Sequence, residues 1–193
     1  QAIYNNVFST YYLCKAAKKS QVKRVTLISS DKAVRPTNVM GATKRLSELI
    51  LIGFANHRNT DLDFSKTNSS TIFSMVRFGN VLGSSGSVVP KFQSQISKGE
   101  CITLTHPDIV RFFMSVSEAV QLVIQSSTIA KGGEVFLLDM GDPIPIKEIA
   151  TKLVLLRGRT IKNKENIDGD IEIKITGLRP GEKLHEELLV NSE

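Results

Sequence analysis

Two short stretches of the sequence combine side chains that can move protons. The residues Ser29-Ser30-Asp31-Lys32 place two hydroxyls, a carboxylate and an ammonium group next to one another. Further on, Met40 precedes Lys44 by four positions, and this spacing puts both side chains on one face of a helix. Either stretch alone also fits an ordinary turn or an ordinary amphipathic helix. Their interpretation as a site therefore depends on the two together.

The elements around these stretches predict where they lie. Residues 25–28 form an apolar, β-branched run typical of a buried parallel strand, and ligands bind at the carboxyl ends of such strands. Similar strand patterns alternate with amphipathic helices along the chain: strands are predicted at 72–76, 134–139 and 171–175, and helices at 1–19, around 46–54, at about 88–98, at 119–130 and at 146–156. This alternation predicts an α/β fold with a largely parallel sheet, and the later strands are expected in a smaller lobe.

The composition limits the classes of protein to which the chain can belong. With 193 residues, 41% of them hydrophobic and 23% charged, the chain is typical of a globular protein and not of a disordered segment or a coiled coil. Its two cysteines and three histidines lack the spacing of a disulfide framework or a metal site, so we expect no metal and a reducing, cytoplasmic setting. The net charge of +6 is scattered and tryptophan is absent, which disfavours nucleic acid as a partner, whereas a nucleotide diphosphate fits this charge.

Together, the two stretches resemble the active site of the short-chain dehydrogenase/reductases. That arrangement is Ser…Tyr-x-x-x-Lys, and Met40 stands where the tyrosine would be. The stretch from Ser29 to Arg45 is similar in particular to the CapD-like nucleotide-sugar 4,6-dehydratases of polysaccharide biosynthesis, in which methionine replaces tyrosine. That family usually has Ser-Thr-Asp-Lys, so Ser30 is a departure that keeps the hydroxyl. The resemblance continues through residues 77–90, 111–115 and 177–184 and covers nearly the whole chain.

The resemblance implies a Rossmann-like, largely parallel sheet with a smaller substrate-binding lobe. Residues 1–86 would form part of an NAD-binding domain, and residues 87–193 would form mainly the lobe that binds the nucleotide sugar. Full family members carry a preceding half with the glycine-rich dinucleotide loop, often behind membrane helices. We therefore expect this missing half to belong to the same protein, and the assembled protein to be a homo-oligomer.

The resemblance also implies a reaction and a substrate. The family's reaction takes a hydride from sugar carbon 4 to NAD⁺, eliminates water across carbons 5 and 6, and returns the hydride to carbon 6. The expected substrate is a UDP-N-acetylhexosamine, above all UDP-N-acetylglucosamine, and the product is the 4-keto-6-deoxy sugar. NAD is the expected cofactor and is regenerated in each cycle.

The same resemblance, combined with the chemistry of the side chains, implies catalytic roles. A thioether cannot ionise, so Met40 cannot be the base that tyrosine normally is. Asp31 is therefore expected to protonate the leaving 6-hydroxyl and Lys32 to take the proton from carbon 5, with the order of these two roles open. Ser30 would hydrogen-bond the 4-hydroxyl, and Lys44 would hold the nicotinamide ribose. The other expected cofactor contacts are Ser29, Phe78 and Gly79.

Substrate contacts are expected from residues of the later motifs, namely Asn80, Ser87, Val88, Arg111, Arg179 and Glu182. Arg179 offers a planar guanidinium fork suited to a diphosphate, in a turn shaped by the Pro-Gly pair that follows it. Glu182 would either hold that arginine or accept a hydrogen bond from a ribose hydroxyl.

Two other interpretations stay open on the sequence. A nucleotide-sugar epimerase or 4-ketoreductase would use the same scaffold, although Met40 in place of tyrosine argues against it. The chain could also be a truncated fragment without catalytic activity, because half of the dinucleotide site is absent from it.

Overall fold

The computed structural model describes residues 1–56, 71–84 and 86–189. The polar composition of residues 59–70 predicts a surface loop, and this stretch lies outside the described residues. The helices follow the predicted order. A helix with wide π-type turns, Ile3–Phe8, continues as α1 (Ser9–Lys19) and is followed by α2 (Val39–Asn56), α3 (Val88–Ser97), α4 (Val116–Ile129) and α5 (Ile146–Leu156). The predicted start of α4 at Ala119 was late, since the helix begins at Val116. None of these described helices is long and apolar enough to span a bilayer.

The strands are short and mostly parallel. In chain order they are β1 (Arg24–Ile28), β2 (Ile72–Arg77), β3 (Asn80–Val81), β4 (Ile102–Leu104), β5 (Val110–Arg111), β6 (Phe113–Met114), β7 (Val135–Leu137), β8 (Ile144–Pro145), β9 (Ile161–Lys162) and β10 (Ile171–Ile175). Every pair among the described residues is parallel except β5 with β8. The predicted α/β class with a largely parallel sheet is confirmed.

The chain divides into two compact units whose limits differ from the expected boundary near residue 86. The first unit comprises residues up to Gly79, the segment Ser117–Asp139 and the tail from Glu187, and the second comprises Asn80–Val116 and Met140–Glu186. The segment that contains α4 and β7 belongs to the first unit because β7 pairs with β2. The segment that starts at Asn80 and ends at Val116 belongs to the second unit, and within it β3 pairs with β6.

The first unit is built on a parallel sheet of strand order β1-β2-β7. The register pairs Leu27 with Met75, and Met75 in turn with Val135, so the carboxyl ends of all three strands lie at the same edge. Central β2 is almost entirely buried, which explains its continuous apolar run. Phe73 and Met75 pack there with Cys14 of α1 and with α2. Burial raises the pKa of the Cys14 thiol to about 11, so this cysteine stays protonated and acts as a packing residue.

The second unit has its own small parallel sheet, of strand order β4-β10-β9. Its core lies between this sheet and the helices α3 and α5, and consists of Phe92, Ile96, Ile102, Leu104, Ile109, Ile146, Ala150, Val154 and Ile171. The alternation of isoleucine with charged residues along β10 agrees with a strand that has one face on this core.

A buried ion pair connects helix α2 to the end of β2, next to the end of β1. Glu48 of α2 and Arg77 at the end of β2 are both almost completely inaccessible, and the guanidinium Nε and Nη2 atoms each donate to the carboxylate at 2.8 Å. Ser29, just after β1, donates its hydroxyl to the same carboxylate at 2.6 Å, and Arg45 adds a bond of 3.1 Å. Burial raises the pKa of Glu48, but the hydrogen bonds from Arg77 and Ser29 and the charge of Arg77 outweigh it and hold this pKa below its ordinary value.

Helix α2 also approaches the loop after β1 closely at its first turn. A Cβ added to Gly41 would collide with the carbonyl oxygen of Lys32 and would crowd Pro36. Gly53, near the other end of the same helix, has open space where its Cβ would be. Glycine is therefore required at position 41 by the packing of helix on loop, and not at position 53.

This difference predicts opposite effects of two alanine substitutions in full-length protein. Gly41→Ala should lower the free energy of unfolding by about 1–3 kcal/mol, because backbone must move to relieve the overlap. Gly53→Ala should be neutral or stabilising by up to about 1 kcal/mol, because alanine favours the helix over glycine. Denaturant unfolding of the two variants measures both effects. Equal stabilities would show that α2 does not press on the loop.

The buried ion pair predicts a pH-dependent contribution to stability. Because the pKa of Glu48 is lower in the folded than in the unfolded chain, the stabilisation is fully present above the unfolded pKa of about 4.3 and is lost as the pH falls through the folded value. Glu48→Gln should cost about 3–5 kcal/mol at neutral pH, since it leaves Arg77 buried without its counterion. The penalty should shrink as the solution is acidified.

The matched control is Glu148→Gln, which removes an exposed ion pair with Lys152 (2.6 Å) one turn away on α5. It should change stability by less than about 1 kcal/mol. Urea unfolding of both variants from pH 3 to 8 measures the two losses. Similar losses of unfolding free energy in the two variants would contradict the stabilising role of the buried Glu48–Arg77 pair. A loss in Glu48→Gln that does not depend on pH would contradict it as well.

Candidate active site

The loop after β1 lies at the carboxyl end of the sheet and carries the predicted acid–base residues. The amide of Ser29 donates to the carbonyl of Val76 at 2.8 Å, and the amide of Asp31 donates to that of Phe78 at 3.1 Å. The loop therefore continues alongside the end of β2 before it forms a single 3₁₀ turn, Asp31–Ala33. Ser30 caps this turn, because its hydroxyl accepts a bond from the amide of Lys32.

Asp31 is the chemically most informative residue of this loop. Its side chain is 0% exposed, and its Oδ1 accepts hydrogen bonds from the Ser30 hydroxyl (2.8 Å) and from the Lys32 ammonium (2.9 Å). Its Oδ2 is also buried but has no hydrogen-bond partner among the described residues. Buried carboxylate oxygens are rarely left unpaired because this is costly. The free oxygen is therefore an acceptor that a bound molecule could satisfy.

Lys32 and Lys44 bring positive charge to the same end of β1. The Lys32 side chain remains 26% exposed while its ammonium contacts Asp31, so it lies between the interior and solvent. Half-buried Lys44 on α2 reaches the carbonyl oxygen of Ile28, the last residue of β1, at 3.3 Å. The fold thus brings the two predicted stretches together at one strand end. Met40, one turn before Lys44, is 42% exposed.

The cofactor contacts predicted beside Lys44 occupy different environments. Ser29 is buried, and its hydroxyl donates to Glu48. Phe78 and Gly79 are partly buried directly after β2, and the carbonyl of Phe78 is bonded to the Asp31 loop. Phe78 and Gly79 therefore lie at the sheet edge where the prediction needs them, whereas the Ser29 side chain is directed into the protein.

Glu48 and Arg77 are part of the site's support and were missed by the sequence reasoning. A signal was present, because Glu48, Leu51 and Ala55 recur at helical spacing on the buried face of α2. A carboxylate on such a face requires a buried cation, and Arg77 ends the most buried strand. The pairing of the two could not be read from their spacing of 29 positions.

In the second unit, Arg111 is engaged with the protein itself. This residue is only 7% exposed, and its guanidinium donates to the carbonyls of Val110, Leu184 and Lys183 at 2.7–3.1 Å. It also lies 3.7 Å from Glu182. Arg111 therefore holds the segment that follows the Arg-Pro-Gly-Glu turn. The sequence predicted that Arg111 contacts the substrate, and in the structure its contacts are with the protein backbone.

The Arg-Pro-Gly-Glu turn presents one exposed cation. Glu182 accepts hydrogen bonds from the hydroxyl of Thr105 and the amide of Arg179, each at 3.0 Å, so its carboxylate closes the turn. Gly181 has a φ of +73°, which favours glycine at that position. The guanidinium of Arg179 is exposed and has no ion pair within the described part of the chain. Glu182 thus holds the backbone of Arg179 and leaves its guanidinium available to an anion.

The other predicted substrate residues lie near the start of the second unit. The amide of Asn80 donates to the carbonyl of Phe112 at 3.0 Å in the β3–β6 pair. Ser87 precedes α3, which begins at Val88. The hydroxyl oxygen of Ser87 is buried and has no hydrogen-bond partner among the described residues. Like Asp31 Oδ2, it is a polar atom that a ligand could satisfy.

Comparison with known proteins places the chain in a family. The family described as polysaccharide biosynthesis protein matches residues 1–193. The chain is 47% identical over 193 residues to the capsular polysaccharide biosynthesis protein CapD of Staphylococcus aureus, covering 100% of this chain and 29% of CapD. It is 36% identical over its full length to the UDP-glucose 4-epimerase of Rickettsia rickettsii, of which it covers 51%. The chain thus spans about half, or less, of these relatives.

Solved structures agree with this placement. The X-ray structure of Pen from Bacillus thuringiensis is 38% identical, with a TM-score of 0.80 over 96% of this chain and 53% of Pen. The dTDP-glucose 4,6-dehydratase DesIV of Streptomyces venezuelae, solved with NAD and TYD bound, shares the fold at 19% identity, with a TM-score of 0.76 over 96% of this chain and 57% of DesIV. Because the family match runs over the whole chain and these structures share its fold, we conclude that the chain belongs to the polysaccharide biosynthesis protein family, as a CapD-like protein of the short-chain dehydrogenase/reductase type.

Proposed function

We propose that the protein to which this chain contributes is an NAD-dependent 4,6-dehydratase. It converts a UDP-N-acetylhexosamine, most fittingly UDP-N-acetylglucosamine, to the 4-keto-6-deoxy sugar for surface polysaccharide synthesis. The observation that carries the proposal is the Asp31–Lys32 pair, which puts an acid and a base 2.9 Å apart at the carboxyl end of β1. Met40 supports it, because a thioether leaves the proton transfers to this pair.

The residues at this strand end fit the nicotinamide-ribose part of NAD. Lys44 supplies an ammonium group beside the end of β1, and the carbonyl of Phe78 is bonded to the loop that follows this strand. Bound there, NAD would accept a hydride from the sugar and return it. In this proposal the first unit is the NAD-binding part, and the second unit, with Asn80, Ser87 and Val88 at its start, is the sugar-binding lobe.

The contact between Lys32 and Asp31 suggests how the elimination is set up. Passage of a proton from Lys32 Nζ to Asp31 Oδ1, across 2.9 Å, produces a neutral amine and a carboxylic acid. The amine then takes the proton from sugar carbon 5, and the acid gives its proton to the departing 6-hydroxyl, which leaves as water. Ser30, already bonded to Asp31 Oδ1, would orient the 4-hydroxyl.

An epimerase is the second candidate, since the chain is 36% identical to a protein named UDP-glucose 4-epimerase. The two activities differ in their products. Incubation of the full-length protein with UDP-N-acetylglucosamine and NMR of the product should show a 4-keto-6-deoxy sugar. Recovery of the 4-epimer with its 6-hydroxyl intact would support the epimerase instead, and absence of conversion would contradict both.

The proposed roles of Asp31 as acid, Lys32 as base and Met40 as a side chain that carries no proton predict the effects of three substitutions. Asp31→Asn and Lys32→Ala should each lower turnover by about 10²–10⁴-fold, because each removes a positioned acid or base. Met40→Leu should keep substantial activity, because leucine fills a similar volume and neither side chain carries a proton. Steady-state kinetics measures turnover, and exchange of the carbon-5 hydrogen with solvent deuterium reports on Lys32.

Two results would contradict this assignment. Near-normal turnover in both Asp31→Asn and Lys32→Ala would show that the catalytic groups lie elsewhere. A Met40→Leu protein as inactive as these two, with substrate binding intact, would show that the thioether takes part in catalysis.

The exposed guanidinium of Arg179 predicts a contribution to nucleotide binding. Arg179→Ala should weaken UDP binding by about 1.5–3 kcal/mol, because a charge-assisted hydrogen bond to the diphosphate is lost. Isothermal titration of the full-length protein with UDP measures this difference. Arg157→Ala, which removes another exposed arginine of the second unit, is the control and should bind UDP normally. Unchanged affinity in Arg179→Ala would show that the diphosphate binds elsewhere.

The assembly is part of the proposal as well. The remaining half of the dinucleotide site would come from the same protein, whose relatives are longer than this chain.

Tyr4, Phe8 and Tyr12 recur every four residues along the first helix and are 71%, 44% and 62% exposed. An aromatic stripe of this kind supports a homo-oligomer.

A further inference from the structure

We propose that Glu48 is a positioning residue of the active site, whose carboxylate holds the hydroxyl of Ser29 and thereby fixes the loop that carries Asp31. The catalytic consequence rests on the proposed function, whereas the holding of the loop rests on the geometry alone. In this arrangement Ser29 acts through the position of Asp31 and not by touching the cofactor.

Glu48 is saturated with hydrogen bonds and has no capacity for proton transfer. Its Oε1 accepts from the Ser29 hydroxyl at 2.6 Å and from Arg77 Nε at 2.8 Å. Its Oε2 accepts from Arg77 Nη2 at 2.8 Å and from Arg45 at 3.1 Å. The pKa of this carboxyl is held below its ordinary value by these donors, so Glu48 stays charged. A carboxylate that is ionised near neutral pH and whose two oxygens already accept four hydrogen bonds holds the groups around it and has no free acceptor site for a substrate proton.

Ser29 is where this carboxylate meets the catalytic loop. A serine hydroxyl has one proton to donate, and Glu48 receives it. The backbone on either side is held by β2, through the bonds of Ser29 to Val76 and of Asp31 to Phe78. Those bonds continue the pairing of the strands, whereas the Ser29–Glu48 bond connects the loop to α2, which also carries Lys44. The hydroxyl therefore links the two stretches that make up the site.

Burying the charged carboxylate of Glu48 costs desolvation free energy, and the filling of space in the core does not require a charged side chain there. Buried ion pairs can often be replaced by apolar side chains without loss of stability, so the pair is not needed merely to fill the core. What an apolar core cannot provide is a directed acceptor for a hydroxyl. Together with the short Ser29 bond, this points to positioning as the role of Glu48.

Ser29→Ala in the full-length protein is the direct test, because it removes this link and leaves both charges paired. The control is Ser47→Ala, which removes another buried hydroxyl of the same unit, bonded to the carbonyls of Asn6 and Thr43 at 2.9 Å. Two properties are measured: amide hydrogen exchange across residues 29–36 without ligands, and kcat and KM for NAD and the nucleotide sugar.

We expect exchange in this segment to accelerate by about tenfold in Ser29→Ala and to stay unchanged in Ser47→Ala. The kcat of Ser29→Ala should fall by on the order of 10²-fold with both KM values unchanged, because the reacting groups are misplaced while binding persists. Unchanged exchange would overturn the inference, and so would a higher KM for NAD with normal kcat, the result expected of a cofactor contact. If loop exchange responds but the wild-type protein converts no nucleotide sugar, the proposed function fails and the positioning stands.

Discussion

A buried carboxylate must be matched by donors on every side, and this requirement at Glu48 organises the first unit. Arg77 donates to it from β2, Ser29 from the loop after β1, and Arg45 from one turn earlier on the same helix. Three separate elements thereby converge on one point just below the carboxyl edge of the sheet. Because the unmatched alternative is so costly, neither the helix nor the loop can shift without losing this convergence.

The loop that carries the chemistry is held from several directions at once. Backbone bonds to Val76 and Phe78 hold it against β2, the hydroxyl of Ser29 holds it to α2, and the absence of a side chain at Gly41 lets the helix press on it. Against this rigid background, one oxygen of Asp31 is left buried and unpaired. Buried carboxylate oxygens are rarely left without a partner, so this oxygen is an acceptor that a bound molecule could satisfy.

Much of this could be predicted from the sequence. The β-branched runs and helical periodicities predicted most elements, because burial on a sheet or a helix imposes a period that the residues must follow. The four-residue spacing of Met40 and Lys44 and the motif after β1 predicted the strand end where these residues meet. These features are local, and local patterns are visible in a linear sequence.

The features that sequence reasoning missed depend on contacts between distant parts of the chain. Arg111 has the chemistry of an anion ligand, and the sequence does not show that the carbonyls of Leu184 and Lys183 accept hydrogen bonds from two of its nitrogen atoms. The return of residues 117–139 to the first unit depends on the pairing of β7 with β2, for which the sequence carries no register signal. The role of Ser29 likewise depends on a partner nineteen positions away, on a helix from which only Met40 and Lys44 were expected at the site.

The central claim is that Ser29 contributes to turnover through the placement of Asp31. A double-mutant cycle on kcat with Ser29→Ala, Asp31→Asn and the double variant in the full-length protein measures this coupling directly. If Ser29 acts through the carboxyl group of Asp31, the double variant should turn over about as slowly as Asp31→Asn alone. Independent losses, in which the double variant is slower by the product of the two single effects, would contradict the account.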